Sequence, residues 1–406
     1  LAVQQKILAV LHAYGYDHIQ TPSFEFMDTF RQDRGSAASR EMFKFFDRDN
    51  NTLVLRPDMT PAIARCAAKY FKDDPMPLRL CYLERTFKNN TSYQGRLKER
   101  TETGAELLGD NCADADGEMI ALMIDCLKAS GLKEFQVELG QAHFYESLLK
   151  EAALEPEIEE ELSRLIENKN PFGVEALLKG LPLKDELRQL LIRLPQLFGG
   201  ADELSEVREL TDNPGALEAL ERLFQVHDVL EAFGLEQYVT YDLGMLSGYR
   251  YYTGVIFKAY TYGTGEYIAT GGRYDGLLPQ FGKDSPAIGF AIVLDRLMDA
   301  LSRQNIPVEI KEANTILLYE EEARKNALWL AAYLRPHGLY VQAMKRGEDR
   351  SLKDYQEMGR QRGMRNLLYL KGEGRIVNSL DLVRDKSDQI PLSAYGQGPK
   401  EEGGGD

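Results

Sequence analysis

Ala269-Thr270-Gly271-Gly272-Arg273-Tyr274-Asp275-Gly276 is the stretch whose reading decides the fold. It continues a strand pattern that begins at Tyr267, and two adjacent glycines then remove side chains where a ligand approaches the backbone closely or where a bulge interrupts pairing. Just upstream, Gly248-Tyr249-Arg250-Tyr251-Tyr252-Thr253-Gly254 sets two tyrosines side by side on an expected strand, Tyr251 to Tyr260. Such a pair supplies an amphipathic wall for a ring-bearing ligand, although tyrosine is also simply a good strand former. Gly263-Thr264-Gly265 lies between the two strands, where a hairpin turn explains it better than a nucleotide loop.

Outward from this centre, the spacing of apolar residues predicts a helix from Leu1 to Tyr14, stopped by Gly15, and a strand-like stretch leading to Thr21-Pro22. Phe43 to Phe46 and Leu53 to Leu55 flank Asp47 to Asn51 as a hairpin, and a proline opens a helix from Pro61 to Tyr70. Strands are expected at Leu78 to Phe87, Thr103 to Leu108 and Phe135 to Leu139, with a helix at Glu118 to Ser130. Leu148 to Phe233 is rich in Leu, Glu, Lys and Ala and is broken at Pro171, Pro182, Pro195 and Pro214, which reads as a block of short helices. Strand character resumes at Tyr238 to Leu243, and a closing helix is expected from Ala287 to Arg303. After Pro307, strands at Ile316 to Tyr319, Tyr340 to Met344, Asn366 to Leu370 and near Ile376 alternate with helices Glu321 to Leu334 and Ser351 to Arg362. The expected organisation is a core domain of residues 1–147 and 237–305 carrying a helical insertion, 148–236. A small α/β domain, 310–395, and a disordered tail, 396–406, complete it.

Composition narrows the function. The 406 residues carry 49 Lys+Arg against 64 Asp+Glu, a net charge of −15, with 43% apolar residues. That is material for two or three domains and more than one core. The acidic balance speaks against a protein whose main task is gripping phosphate backbones. No apolar run reaches the ~18 residues of a membrane helix and no signal peptide opens the chain, so a cytoplasmic protein is expected. The chain starts at Leu1 in mid-helix pattern rather than at Met, so an N-terminal piece is expected to precede it. Cys66, Cys81, Cys112 and Cys126 form no C-x-x-C pair and read as buried free thiols.

Chemistry concentrates in few places. His12, His18, His143, His227 and His337 are isolated, with no metal-ligand spacing, and no G-x-S-x-G elbow surrounds Ser247. Arg56-Pro57-Asp58-Met59-Thr60-Pro61 brings an acid and a hydroxyl to a strand-to-helix junction. There they either receive a ligand's ammonium group or cap the helix. Glu106 is a lone acid in the apolar stretch Gly104 to Gly109, sharing one strand face with Gly104 and Leu108. That face is either solvated or turned inward.

Taken together, G-G-R-Y-D-G (Gly271 to Gly276), R-P-x-x-T (Arg56 to Thr60) and Y-Y-T-G (Tyr251 to Gly254) resemble the catalytic core of the histidyl-tRNA synthetase family. The resemblance implies an α+β fold of the class II aminoacyl-tRNA synthetase type: a six-stranded antiparallel sheet with flanking helices, a helical insertion, and usually a dimer. The C-terminal block is similar to the family's anticodon-binding domain. Departures from the pattern fall on the ATP side. Where the family has Phe-Arg-x-Glu, with an arginine for the α-phosphate and a glutamate placing the adenylate, this chain has Phe87-Lys88-Asn89-Asn90. Lysine lacks the planar bidentate fork and asparagine lacks the carboxylate. Ser247 replaces the arginine that stabilises charge as the carboxylate attacks ATP, a kind of loss worth ~10²–10³ in rate. Val293 stands where a glycine faces the nucleotide, while Arg296 is retained.

The amino-acid side is better kept. By the resemblance, Asp58 and Thr60 receive the histidine ammonium, Glu106 and Tyr252 read the imidazole with Tyr251 beside them, and Glu102 replaces a glutamine that contacts the amino acid. A synthetase scaffold without ATP chemistry resembles the ATP phosphoribosyltransferase regulatory subunit family. That implies a non-catalytic partner of the short-form catalytic subunit in the first step of histidine biosynthesis, with histidine as feedback effector and a homodimer inside a hetero-oligomer. No cofactor, metal or catalytic residue is expected, and tRNA is not expected as a partner. The alternative is an active histidine-tRNA ligase. A basic face built from Lys345, Arg346, Arg350, Arg360, Arg362 and Arg365 would suit a sensor of uncharged tRNA, and a solvated helix face explains the same charges.

Overall fold

The computed structural model describes residues 1–30, 39–89, 97–246, 251–308 and 315–396, in two units, Leu1–Val308 and Glu309–Asp406. The readings at Asn90 and Ser247 and the tail beyond Gly396 lie outside the described residues. In the first unit the order is α1 (Ala2–Ala13), β1 (Asp17–His18), β2 (Phe24–Phe26), β3 (Lys44–Phe46), β4 (Thr52–Leu55), α2 (Thr60–Tyr70), β5 (Leu78–Phe87), β6 (Glu99–Leu108), α3 (Ala113–Ser130) and β7 (Phe135–Gln141). Then come α4 (Ala142–Ala152), α5 (Pro156–Glu167), α6 (Pro171–Leu178), α7 (Asp185–Arg193), β8 (Phe198–Gly199), α8 (Ala201–Arg208) and α9 (Pro214–Ala232). β9 (Val239–Asp242), β10 (Val255–Thr261), β11 (Ala269–Arg273), β12 (Ala287–Val293) and α10 (Leu294–Arg303) close it.

The main sheet has nine strands in the order β1-β5-β6-β12-β11-β10-β7-β9-β8. Its middle six, β5 to β7 in that order, pair antiparallel throughout, as the resemblance implies. β1 and β9 add parallel neighbours at either side. A separate three-stranded sheet, β2-β4-β3, contains the expected hairpin. Three prolines, Pro156, Pro171 and Pro214, stand in the first turns of α5, α6 and α9, where a missing N–H costs nothing.

Three expectations are corrected. Ala287 to Arg303 is not one helix: Ala287-Ile288-Gly289-Phe290-Ala291-Ile292-Val293 is a strand, and only Leu294 onward is helical. A strand between β6 and β11 is covered on both faces, so it reads as a continuous apolar run that periodicity cannot tell from a buried helix. Tyr251 and Tyr252 lie in the turn before β10 rather than on it, because pairing with β7 starts only at Val255, opposite Gln141. The cysteines are free, but they are not all buried: Cys112 is exposed and its sulfur caps α3 by accepting the Ala115 N–H.

Arg56 is the largest fully buried side chain. It pairs with Glu84 at 2.5 Å and donates to the carbonyl oxygens of Thr21, Pro22 and Arg85. Its role is to join β4 to β5 and so fix the position of Asp58 two residues on. The second unit is a five-stranded sheet in the order β14-β13-β15-β16-β17, from β13 (Thr315–Tyr319), β14 (Val341–Lys345), β15 (Asn366–Leu370), β16 (Ile376–Asp381) and β17 (Lys386–Pro391), with α11 (Arg324–Leu334) and α12 (Leu352–Gln361). The polar β17 (Lys-Ser-Asp-Gln-Ile-Pro) carries no apolar alternation, and the sequence reading missed it.

Replacing Arg56 by methionine leaves Glu84 without its partner inside the protein. The expected cost is about 3–5 kcal/mol, read as a lower urea midpoint; an unchanged midpoint would mean the pair is dispensable.

Candidate functional site

The strand registers place a row of residues across the middle of the sheet: Ile256 on β10 faces Gly272 on β11, which faces Gly289 on β12, which faces Glu106 on β6. Side chains alternate between faces along each strand, so Gly272, Gly289 and Glu106, with Gly104 two residues before it, share one face. The glycines are required by space. A Cβ on Gly289 would lie 1.6 Å from Glu106 Oε2, and one on Gly272 2.7 Å from the Tyr252 ring. A methyl group at either position would occupy the volume that the carboxylate and the ring now fill.

Glu106 is buried at 1% exposure, which settles the open question of which way its face points. Thr60 Oγ1 donates to Oε1 at 2.9 Å and the Tyr274 hydroxyl donates to Oε2 at 2.5 Å. Among the described residues it makes no ion pair. Burial pushes its pKa up to about 8, against the two hydroxyl bonds and with help from the nearby Asp58 charge. At the α2 junction Asp58 uses both oxygens. Oδ1 accepts the Thr60 N–H at 3.1 Å, while Oδ2 accepts the Tyr251 hydroxyl at 3.1 Å and faces the site. Burial raises the Asp58 and Glu102 carboxyls, and Lys88 pulls both back down.

Lys88, Arg100 and four tyrosines, Tyr251, Tyr252, Tyr267 and Tyr274, line the same cavity. Tyr251 meets Tyr252 edge-on at 4.8 Å and Tyr274 at 5.9 Å. All six residues marked in the sequence, Asp58, Thr60, Glu102, Glu106, Tyr251 and Tyr252, come together here, all but Glu106 in the cavity lining and Glu106 against Gly289 at its base. Tyr274 and Arg100 were missed. Tyr274 stands two residues after Gly272, so strand parity places it on the glycine face. Arg273 turns to the other face and pairs with the buried Asp116. The cavity left between the side chains is about 30 Å³, room for about two waters. An occupant of amino-acid size therefore has to displace lining side chains.

Chemically, the lining offers acids, cations and buried hydroxyls within one cavity. Asp58 and Glu102 suit an ammonium, Lys88 and Arg100 a carboxylate, and Glu106 with its hydroxyls a ring nitrogen. Beyond Val293 opens a second cavity of about 460 Å³, sharing Arg100 and Val293 with the first. Arg296 in its wall is engaged by the chain itself. It donates to the Tyr267 carbonyl at 2.7 Å, pairs with Glu266 and lies 4.6 Å above the Tyr267 ring.

The histidyl-tRNA synthetase family model matches residues 2–297. An ATP phosphoribosyltransferase regulatory subunit from Acetivibrio thermocellus is 39% identical over 93% of this chain and 88% of its own length. One from Caldanaerobacter subterraneus subsp. tengcongensis is 38% identical over 88% of this chain and 93% of its own. Among solved structures, an ATP phosphoribosyltransferase regulatory subunit/histidyl-tRNA synthetase from Bacillus halodurans C superposes with a TM-score of 0.79 at 33% identity, covering 91% of this chain and 93% of that one. Histidyl-tRNA synthetase from Nostoc sp. PCC 7120 gives a TM-score of 0.79 at 18% identity over 97% and 93%, a likeness of fold alone.

A raised carboxyl pKa has a defined sign. The folded chain keeps the Glu106 proton up to about pH 8, whereas the unfolded chain releases it near the ordinary value of about 4.3. Stability is thus lost progressively as pH rises between those values. Glu106→Gln keeps the shape without ionising, so its melting temperature should gain on the parent as pH goes from about 5 to about 8. Parallel melting curves across that range would contradict the assignment.

Proposed function

The chain belongs to the histidyl-tRNA synthetase family, in the branch of ATP phosphoribosyltransferase regulatory subunits, and we propose that it regulates its catalytic partner by holding histidine in the Glu106 pocket. It is a regulatory subunit for the first step of histidine biosynthesis and not a synthetase. The partner in this reading is the short-form catalytic subunit, in the cytoplasm. The observation that carries the histidine assignment is the fully buried Glu106, held by two hydroxyls above a floor of glycines, beside acids and cations spaced for a zwitterion.

Charge supports a chain that does not select tRNA. Residues 148–236 hold nine basic against 20 acidic residues, a net −11, and residues 309–406 balance 16 against 16. Within the second unit, Lys345 pairs with Glu321, Arg346 with Glu320 and Arg360 with Asp385, so half of the basic candidates there are engaged internally. A polyanion would have to compete with those acids. For the homodimer, the supporting feature is the β2-β4-β3 sheet, which exposes Phe24, Phe26 and Phe45 on one face.

The test mixes this chain with a short ATP phosphoribosyltransferase catalytic subunit and follows phosphoribosyl transfer with and without histidine. Transfer should depend on the mixture and fall as histidine is added. With Glu106→Gln the uninhibited rate should stay within about twofold while the histidine needed for half-inhibition rises roughly threefold to tenfold, a loss of about 0.5–1.5 kcal/mol for a hydrogen bond that the amide does not reproduce. Unchanged inhibition would remove the pocket from the account.

A further inference from the structure

The tyrosine wall of the pocket is tied to the helical segment α4–α9 from both ends, by two charge links that no part of the reading above uses. The first lies at the corner between α5 and α6. Lys169, held at φ +53° in the left-handed region, extends its ammonium between both oxygens of Asp242, at 2.6 and 2.7 Å. Asp242 is buried at the end of β9, and its Oδ1 also accepts the Gly244 N–H at 3.0 Å. The next N–H, of Leu243, is held by the Leu197 carbonyl at 3.1 Å. Two residues further, Met245 packs in the same apolar cluster as Tyr251, Tyr252 and Tyr274. Gly244 has no room for a side chain, since a Cβ would lie 2.6 Å from the Leu194 carbonyl and 3.2 Å from the Lys169 ammonium.

The second link starts on α9. Arg222 Nε reaches Asp116 Oδ2 at 2.7 Å, and Arg273 Nε reaches the other oxygen at 2.8 Å. The carbonyl of Arg273 then accepts the Thr253 N–H at 2.8 Å, and the Thr253 hydroxyl accepts the Asp275 N–H at 3.0 Å. Tyr251 and Tyr252 are thus flanked by Met245 on one side and Thr253 on the other, and both flanks lead to helices outside the pocket.

We propose that Lys169 and Asp242 are positioning residues through which the helical segment holds the tyrosine wall, so that occupancy of the pocket and placement of the α5–α6 corner are coupled in both directions. The small cavity gives the coupling its lever. With room for about two waters, it admits an amino acid only when the lining side chains shift, and Tyr251 and Tyr252 are part of that lining. A shift there is passed to Met245 and to the Asp242 turn, whose partner is Lys169. By linkage, whatever holds the corner in one position changes ligand affinity by the same factor that the ligand changes the corner. The ligand half of this inference rests on the histidine reading; the positioning half does not.

Hydrogen exchange on the full-length chain separates the two. Lys169 is 44% exposed on its side chain, and Lys169→Met removes the link while leaving the buried Asp242 only its Gly244 N–H bond. In the ligand-free variant, exchange at the amides of 243–245 and 253–256 should quicken roughly tenfold, should be restored by Lys169→Arg, and should be unchanged in β13 and β15 of the second unit. Unchanged exchange at those amides overturns the proposal, as does an even acceleration across the whole first unit that Lys169→Arg fails to reverse. Added histidine should then protect 166–170 and 194–197 in the parent but not in Lys169→Met. Histidine that binds the parent and leaves those segments unprotected overturns the coupling. If histidine binds neither chain, the ligand reading fails, and the ligand-free comparison alone decides the positioning role.

Discussion

A carboxyl group removed from water and held only by hydroxyls is the constraint around which this structure is organised. Glu106 cannot sit where it does unless its cross-strand neighbour has no side chain, which is why Gly289 stands opposite it, while Gly272 beyond makes room for the Tyr252 ring and Gly104 for the Tyr82 ring. It cannot stay there without donors, which come from Thr60 at the start of α2 and Tyr274 just past β11. Those two donors bring a helix and a strand end to the same point. Arg56 then fixes the segment that carries Asp58, by gripping three backbone carbonyls and Glu84. A buried acid without a cation costs stability, and the cost is kept where a ligand nitrogen can relieve it.

In the proposed reading, an amino-acid pocket outlasts the chemistry beside it. On the far side of Val293 the cavity wall still carries Arg296, yet its guanidinium is committed to Glu266, to the Tyr267 carbonyl and to the Tyr267 ring. Lys88 stands in place of a forked arginine and lends its charge to Asp58 and Glu102 instead. What remains, in the proposed reading, is a binding site whose output is conformational. Regulation of a partner then requires that occupancy alter something beyond the pocket, and helices tied to the tyrosine wall offer a route.

Much of this was legible in the sequence, and the exceptions have physical causes. The bounds of Leu78–Phe87 and Asn366–Leu370 follow directly from alternation and turn residues. Ala287 to Val293 was misread as helix because a strand covered on both faces loses the period-two signal. The direction of Glu106 could not be decided from one strand. It depends on Gly289 lying opposite, and that pairing joins residues 183 positions apart. Tyr274 was visible inside the Gly-Gly-Arg-Tyr stretch but its role was not, since only the closure of β11 against β12 brings its hydroxyl to Oε2. The six site residues were found through the resemblance. Spacing alone left Asp58 and Thr60 divided between a helix cap and a ligand contact, and in the structure one Asp58 oxygen accepts the Thr60 N–H while the other accepts the Tyr251 hydroxyl.

The most direct test of the central claim is a calorimetric titration of the full chain with histidine in the absence of any partner. The account predicts saturable binding of one histidine per chain, unaffected by ATP and not reproduced by an amino acid without a ring nitrogen. Absence of binding, or binding seen only together with ATP, would contradict it.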